Sequence, residues 1–147
     1  MIIVSACLLG VKCKYSGDPN INKAIIELFK QGKLIPICPE QLGGLKTPRL
    51  PAEIVGDKVI RADYKDVTNN FKKGAEESLR IAKLINEKKA ILKENSPSCG
   101  SHYIYDGNFN GKLIKGKGIT CRLLEENGIE VFSERENHLI QNELDDL

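Results

Sequence analysis

The apolar positions along the chain form short continuous runs separated by amphipathic stretches. Ile2-Ile-Val-Ser-Ala6 is apolar and β-branched with no period-two alternation, the pattern of a fully buried central strand. After turn signals at Lys14-Tyr-Ser-Gly17, Asp18 and Pro19 predict a helix start. The stripe Ile21, Ala24, Ile25, Leu28, Phe29 then marks one helical face, which Gly32 ends. Residues 34–37 predict a second strand, and Pro36 assigns it to a sheet edge or makes it short and irregular. Residues 38–49 read as a Gly- and Pro-rich loop whose embedded Cys, Glu and Arg point to function. Glu53-Ile-Val55 and Lys58-Val-Ile60, joined by Gly56-Asp57, predict a small hairpin.

Thr68 is the expected cap of the longest helix, which runs to about Glu87 with Phe71, Ala75, Leu79, Ala82 and Ile85 along its apolar face. A third strand is expected at residues 90–93, followed by Asn95-Ser-Pro-Ser-Cys-Gly-Ser101, which has no helical pattern. Residues 103–109 read as a β-turn element. Gly116-Lys-Gly118 opens a predicted helix over residues 119–127, and residues 129–132 predict a fourth strand. Ser133 and Glu136 have capping-box spacing for a terminal helix. This alternation predicts an α/β fold: a single Rossmann-like, doubly wound domain over residues 1–147, with a mostly parallel sheet and helices on both faces.

The length of 147 residues fits one domain with a real core, which aliphatics must fill because Trp is absent and aromatics are few. A net charge of +2 with acids and bases interspersed implies no strong field for polymeric nucleic acid. The first apolar run is too short for a signal peptide, and none approaches the roughly 20 residues of a membrane span. A soluble, cytoplasmic protein without a membrane partner is expected.

Five cysteines change the picture. An odd count without a secretory signal argues against a disulfide framework. Each thiol alone reads equally as a small buried hydrophobe. Yet Cys7 and Cys38 close apolar strands and Cys99 follows a third. An open parallel sheet brings all of these to its C-terminal edge, where ligands bind. Three thiolates without a fourth suit an iron–sulfur cluster with one open iron, or an incomplete zinc site. Cys13, in the loop after Cys7, competes with it or adds a fourth thiol. Cys121, beside Leu123 and Leu124, reads as packing.

Other side chains are candidates with ordinary alternatives beside them. Glu40, just past Cys38, can transfer protons or be a solvated loop acid. Ser96 and Ser98 can orient a substrate or cap a turn. Lys117 and Thr120 sit at a helix start suited to phosphate or carboxylate, though without a Walker motif. Arg49 can bind an anion or a nucleobase. His102 suggests a Cys99–His102 nucleophile pair. No Ser-His-Asp set, dinucleotide fingerprint or acidic magnesium cluster is visible.

Taken together, several motifs resemble the 2-thiouracil desulfurase family over nearly the whole chain. They are Ser5-Ala-Cys-Leu-Leu-Gly10, Cys13-Lys-Tyr-Ser-Gly17, Cys38-Pro-Glu40, Gly43-Gly-Leu45 and Pro48-Arg49, then Ser96-Pro-Ser-Cys-Gly100, Gly116-Lys-Gly-Ile-Thr120 and Gly128-Ile-Glu-Val-Phe-Ser133. The resemblance implies a [4Fe-4S] cluster held by only three cysteines, placed on Cys7, Cys38 and Cys99, with Cys13 as the alternate to Cys7. It implies Glu40 as catalytic acid and Ser96 as catalytic serine. Ser16 stands where the family commonly has Asp, and Cys121 where many relatives carry a small non-thiol residue. The implied reaction is non-redox: the open iron takes the thiocarbonyl sulfur, and water activated by Glu40 attacks the carbon. An oxo-pyrimidine and sulfide result. The implied substrate is a small thiopyrimidine, either 2-thiouracil or 4-thiouridine monophosphate, handled by a monomer or homodimer. Ser98, Arg49, Lys117 and Thr120 are then the substrate-binding candidates, the start of the Lys117 helix receiving a phosphate. The rival readings are a non-catalytic thiolate metal or sulfur carrier and a cysteine-nucleophile hydrolase.

Overall fold

The computed structural model describes residues 1–136 and His138. In chain order its elements are β1 (Ile2–Ser5), α1 (Lys23–Lys30), β2 (Leu34–Ile37), α2 (Pro39–Leu42), β3 (Ala52–Val55), β4 (Lys58–Arg61), α3 (Thr68–Ile85), β5 (Lys89–Leu92), β6 (Tyr103–Tyr105), β7 (Leu113–Lys115), α4 (Ile119–Glu126) and β8 (Glu130–Ser133). Short 3₁₀ turns occupy Ala6–Leu9 and Glu134–Glu136.

The main sheet has four parallel strands in the order β2-β1-β5-β8. β1 is central and buried along its whole length, as its unbroken apolar run requires. β2 lies at an edge, where Pro36 forfeits no ladder bond on its open side. From β1 the chain steps outward to β2, then crosses back to β5 and β8. The connections therefore diverge between β1 and β5, the switch point at which a doubly wound sheet opens a crevice.

Helices cover both faces of this sheet. Ile25 and Leu28 of α1 pack with Ile2, Val4, Ile91 and Phe132 on one face. On the other, Ala82 of α3 and Leu124 of α4 pack with Ile3, Ile37, Ala90 and Leu92. Fully burying each such aliphatic side chain contributes about 1.5–3 kcal/mol. A smaller cluster of Ile54, Val59, Val67, Phe71 and Ile104 joins the antiparallel hairpins β3–β4 and β6–β7 to α3.

Several boundaries differ from the sequence expectation, each for a physical reason. Helix α1 begins at Lys23 rather than near Asp18, and Asn22 caps it by accepting from Ile25 N at 3.2 Å. The amides of Asn20 and Asn22 donate to the carbonyls of Cys7 and Leu8, both at 2.9 Å, which holds residues 20–22 out of the helix. Ile21, outside the helix, is exposed, and so is Phe29 within it. Within the stretch read as loop, Pro39 starts the one-turn helix α2. This turn meets α3 backbone to backbone: a Cβ on Gly43 would lie 2.0 Å from Asn70 O, and one on Gly74 1.9 Å from Pro39 O. Thr68 is the first residue of α3 rather than its cap, and its hydroxyl accepts from Val59 N at 2.9 Å. The Ser133–Glu136 capping box is formed, Ser133 N donating to Glu136 Oε1 at 3.0 Å and Ser133 Oγ accepting from Arg135 N at 3.1 Å. Apart from His138, the terminal helix expected beyond it lies outside the described residues. Among those residues, no helix is long and apolar enough to cross a membrane.

Candidate active site

A pocket of about 450 Å³ opens at the C-terminal edge of the sheet, walled by residues just past β1, β2 and β5. Cys7, Cys13, Cys38 and Cys99 all line it. Cys7 is carried by the 3₁₀ turn that leaves β1, and this turn ends at Gly10 with φ of 97°. Cys38 ends β2 and precedes α2. The Cys38 thiol donates to Cys13 O at 3.7 Å, and interaction among the three thiols raises the pKa of Cys13 and lowers those of Cys7 and Cys38. Cys38 is held down to about 7, first by Cys13 and then by the Gln41 amide, against the effect of burial. Burial pushes the Cys99 thiol far up, although Ser5 hydrogen-bonds it. Cys121 lies in the core of the α3–α4 face, away from the pocket lining.

Glu40, in the first turn of α2, lines the same pocket with its side chain 19% exposed. Burial raises its pKa, and the Arg49 guanidinium beside it opposes that rise. Arg49 Nε and Nη2 both reach Glu40 Oε1 at 3.2 Å. Nη1 donates to Thr47 Oγ1 at 2.9 Å and Lys46 O at 3.2 Å, and Nη2 also donates to Cys13 O at 3.1 Å. Arg49 thus orients Glu40 and ties it to the Cys13 loop, with its donors already engaged by protein.

The loop bearing Cys99 is held from three directions. Ser96 Oγ accepts from Ser98 N at 3.0 Å and Cys99 N at 3.1 Å, which leaves its own O–H free to donate into the pocket it lines. Ser98 is buried and pairs with the buried Thr120 hydroxyl at 2.9 Å. The start of α4 docks on this loop: Gly118 N donates to Gly100 O, Ile119 N to Pro97 O, and the amides of Thr120 and Cys121 to Ser98 O. A Cβ on Gly118 would lie 2.4 Å from Ser98 O. The amides that sequence alone offers to a phosphate are therefore occupied. Lys117 pairs with Glu125, and neither it, Ser98 nor Thr120 is among the pocket-lining residues.

The third support is Glu94, which the sequence reading missed. It is 3% exposed, yet its Oε1 accepts from the amides of Asn95, Ser101, His102 and Tyr103. Its Oε2 takes the Ser101 hydroxyl at 3.2 Å and His102 Nδ1 at 2.9 Å. Burial works against the charge, but the bonds from His102 and the backbone amides outweigh it and hold the carboxyl at about 2. His102 is thereby bound to Glu94 rather than to Cys99. The available signal was an acid placed directly after a buried strand and before a turn-rich thiol loop.

Other pocket residues also escaped the sequence reading. Ser5 Oγ accepts from Lys93 N at 2.9 Å, joining the ends of β1 and β5. Lys93, paired with Glu134 at 2.8 Å, adds a cation to the wall. Asn95 Oδ1 is buried without a partner among the described residues. Tyr15, Tyr105 and Phe109 supply aromatic wall.

Clustered thiols, soft ligands shielded from solvent, are the donor set of an iron–sulfur group. Among the described residues, no three His, Cys, Asp or Glu side chains close on one point as ligands of a single ion would.

The model of the 2-thiouracil desulfurase family matches residues 2–136. Uncharacterized protein YbbK of Bacillus subtilis (strain 168) is 46% identical over 146 residues, spanning 92% of this chain and 97% of its own. Among solved structures, the [4Fe-4S]-dependent thiouracil desulfidase TudS superposes with a TM-score of 0.94 at 42% identity, covering 99% of this chain and 98% of that one.

Proposed function

The chain belongs to the 2-thiouracil desulfurase family, and from that membership we propose that it is a [4Fe-4S]-dependent enzyme that hydrolyses the C=S bond of a thiolated pyrimidine. Water supplies the oxygen, so the thiocarbonyl compound and water yield the oxo-pyrimidine and hydrogen sulfide with no change in electron count. The observation that carries this reading is the pocket at the β1/β5 switch point, where thiols and one largely buried, raised-pKa carboxylate share a wall. Cys7, Cys38 and Cys99 are the thiols we assign to the cluster, with Cys13 as the alternate to Cys7. When bound, such a cluster supplies a soft Lewis-acidic iron suited to sulfur.

The chain's own residues do the rest. Glu40 takes a proton from the attacking water, and the rise in its pKa caused by burial makes it a stronger base than an ordinary carboxylate. Arg49 fixes the carboxylate through Oε1 and leaves Oε2 without a partner among the described residues. Ser96, its oxygen already engaged by two amides, has its hydroxyl proton to offer to the substrate heteroatom. The apolar and aromatic part of the wall excludes bulk water around the ring. A Cys99–His102 hydrolase fits poorly, because His102 Nδ1 is held by Glu94 at 2.9 Å rather than paired with Cys99.

The test is anaerobic reconstitution with iron and sulfide, quantification of both, and sulfide release from 2-thiouracil and 4-thiouridine monophosphate. Near four irons per chain is expected for this type of cluster, with turnover abolished in Cys99→Ala and Glu40→Ala. The comparison of the two compounds identifies the preferred substrate. A stable cluster that releases no sulfide from either would move the protein to the sulfur-carrier class.

A further inference from the structure

The hairpin β6–β7 stands over the pocket and presents Tyr105, Phe109 and Gly111 to it. Phe109 is held in an unusual way. Its φ is 54°, in the left-handed region that bulky L-residues seldom enter without being forced. The constraint comes from Glu53 on the neighbouring strand β3. This residue is 8% exposed, and its Oε1 accepts from Gly107 N at 2.9 Å and from Phe109 N at 3.2 Å. Gly107, with φ of 92°, comes so close to β3 that a Cβ there would lie 2.7 Å from Ile54 O. Asp106 Oδ1 in turn accepts from Asn108 N at 2.9 Å. The tip is thus pinned to β3, and the pin is a buried carboxylate that itself lines the pocket.

A carboxylate removed from water and a phenylalanine in a strained backbone are both unfavourable unless something over-determines them. Filling the hairpin's own core does not require either, because Ile104 and Ile54 already do that. What the arrangement achieves is a rigid phenyl ring at a pocket mouth, 39% exposed and therefore with surface left to cover. The ring carries no polar group, so what it offers a ligand is contact area and a π-face. A pyrimidine presents a matching planar face, and base–aromatic stacking is a recurrent mode of holding an unpaired base.

We propose that Phe109 is the stacking platform for the substrate's pyrimidine ring, and that Glu53 is the positioning residue that fixes the platform through the amides of Gly107 and Phe109. The proposal rests on the desulfurase reading for the identity of the ring. Stacking is shared by substrate and product rings, so its loss raises KM and weakens binding of the oxo-pyrimidine while leaving kcat nearly unchanged.

The experiment uses the anaerobically reconstituted protein and two readouts: the Kd of uracil by calorimetry, and kcat and KM for sulfide release from 2-thiouracil. For Phe109→Ala the uracil Kd and the KM should both rise roughly ten- to hundredfold, with iron content and kcat held. Phe109→Tyr, which keeps the ring, should bind uracil more tightly than Phe109→Ala. Glu53→Ala should reproduce the Phe109→Ala binding defect, whereas Glu53→Gln, whose amide oxygen still accepts from both backbone groups, should restore binding. In the double variant Phe109→Ala/Glu53→Ala the two defects should not add. Wild-type binding of uracil by Phe109→Ala overturns the platform, as does a wild-type protein that binds no pyrimidine. Additive defects, or a Glu53→Gln as weak as Glu53→Ala, overturn the positioning role. Uracil binding without any sulfide release would instead refute the desulfurase reading and leave the platform standing.

Discussion

Arg49 meets Glu40 with two of its nitrogens on a single carboxylate oxygen, Oε1, both at 3.2 Å. The other oxygen stays available on a residue that lines the thiol pocket. This one-sided grip separates two roles that substitution can tell apart. Glu40→Gln keeps an acceptor for Arg49 but removes the proton-accepting oxygen. Sulfide release should fall about 10²- to 10⁴-fold with iron content unchanged. Arg49→Ala should behave differently. It strands a largely buried carboxylate, so it should cost about 3 kcal/mol or more of stability and lower the iron bound after reconstitution. Arg49→Lys should not rescue, because a point ammonium cannot reach Glu40, Thr47 and the Cys13 carbonyl together. Urea unfolding and iron assays on these three variants check the division. Equal loss of iron in Glu40→Gln and Arg49→Ala would break it.

Glu94 makes the stability of the Cys99 loop depend on pH in a stated direction. Its carboxyl is held at about 2 in the folded chain, below the ordinary value of 4.5. A depressed folded pKa stabilises fully above the unfolded value, and that stabilisation is lost as pH falls through the folded one. The window is therefore from about pH 4.5 down to about 2, and the size is about 3 kcal/mol. Urea unfolding of the cluster-free chain at pH 7, 4 and 2.5 should show this loss. In Glu94→Gln most of it should be gone, the variant being less stable at pH 7 and closer to wild type in acid. Parallel pH curves for the two proteins would show that Glu94 is not the group responsible.

The start of helix α4 abuts the Cys99 loop. A methyl group at Gly118 would lie 2.4 Å from Ser98 O and 2.7 Å from Cys99 N, both backbone atoms that cannot swing away. Gly118→Ala should therefore lower stability by about 1–3 kcal/mol and reduce the iron retained, with no pocket side chain altered. The buried Ser98–Thr120 hydroxyl pair offers an independent check. Ser98→Ala or Thr120→Val alone leaves one hydroxyl unpartnered, at a cost of about 1–3 kcal/mol. The double variant should cost less than the sum of the two, which a double-mutant cycle measures directly.

The sequence was informative where structure follows from local patterning, and much less so where distant backbone decides. The continuous run after Ile2 and the proline at position 36 were enough to place β1 centrally and β2 at an edge. The strand-end cysteines then implied a shared edge, and Cys7, Cys38 and Cys99 do line one pocket. Asp18-Pro19 satisfied every local rule for a helix start. The amides of Asn20 and Asn22 nevertheless belong to the carbonyls of Cys7 and Leu8, a tertiary choice that no window reveals. Helix α2 is a single turn, too short to show a period. Lys117 and Thr120 looked like a phosphate site because the first amides of a helix are free in isolation. Here the carbonyls of Pro97, Ser98 and Gly100 take them. Glu94 was invisible for a related reason: its partners are mostly backbone amides, and amides leave no mark in a sequence.

The choice between Cys7 and Cys13 follows from how each thiol is presented. Cys7 rides on a 3₁₀ turn that continues β1 directly, and the Asn20 amide fixes its carbonyl at 2.9 Å. The Cys13 thiol instead interacts with those of Cys7 and Cys38, which raises its pKa. Its carbonyl gathers Thr47 at 3.3 Å and Arg49 at 3.1 Å. We propose that Cys13 supports a neighbouring sulfur rather than binding iron, a role that a serine hydroxyl can also fill. Cys13→Ser should therefore take up iron and sulfide to the wild-type ratio and keep measurable desulfuration. Cys7→Ser should lose the cluster, since a serine alkoxide is a poor exchange for a soft thiolate on iron. Iron and sulfide counts after anaerobic reconstitution decide the matter. The opposite result, a cluster retained in Cys7→Ser and lost in Cys13→Ser, would transfer the ligand role to Cys13 and make Cys7 the supporting donor.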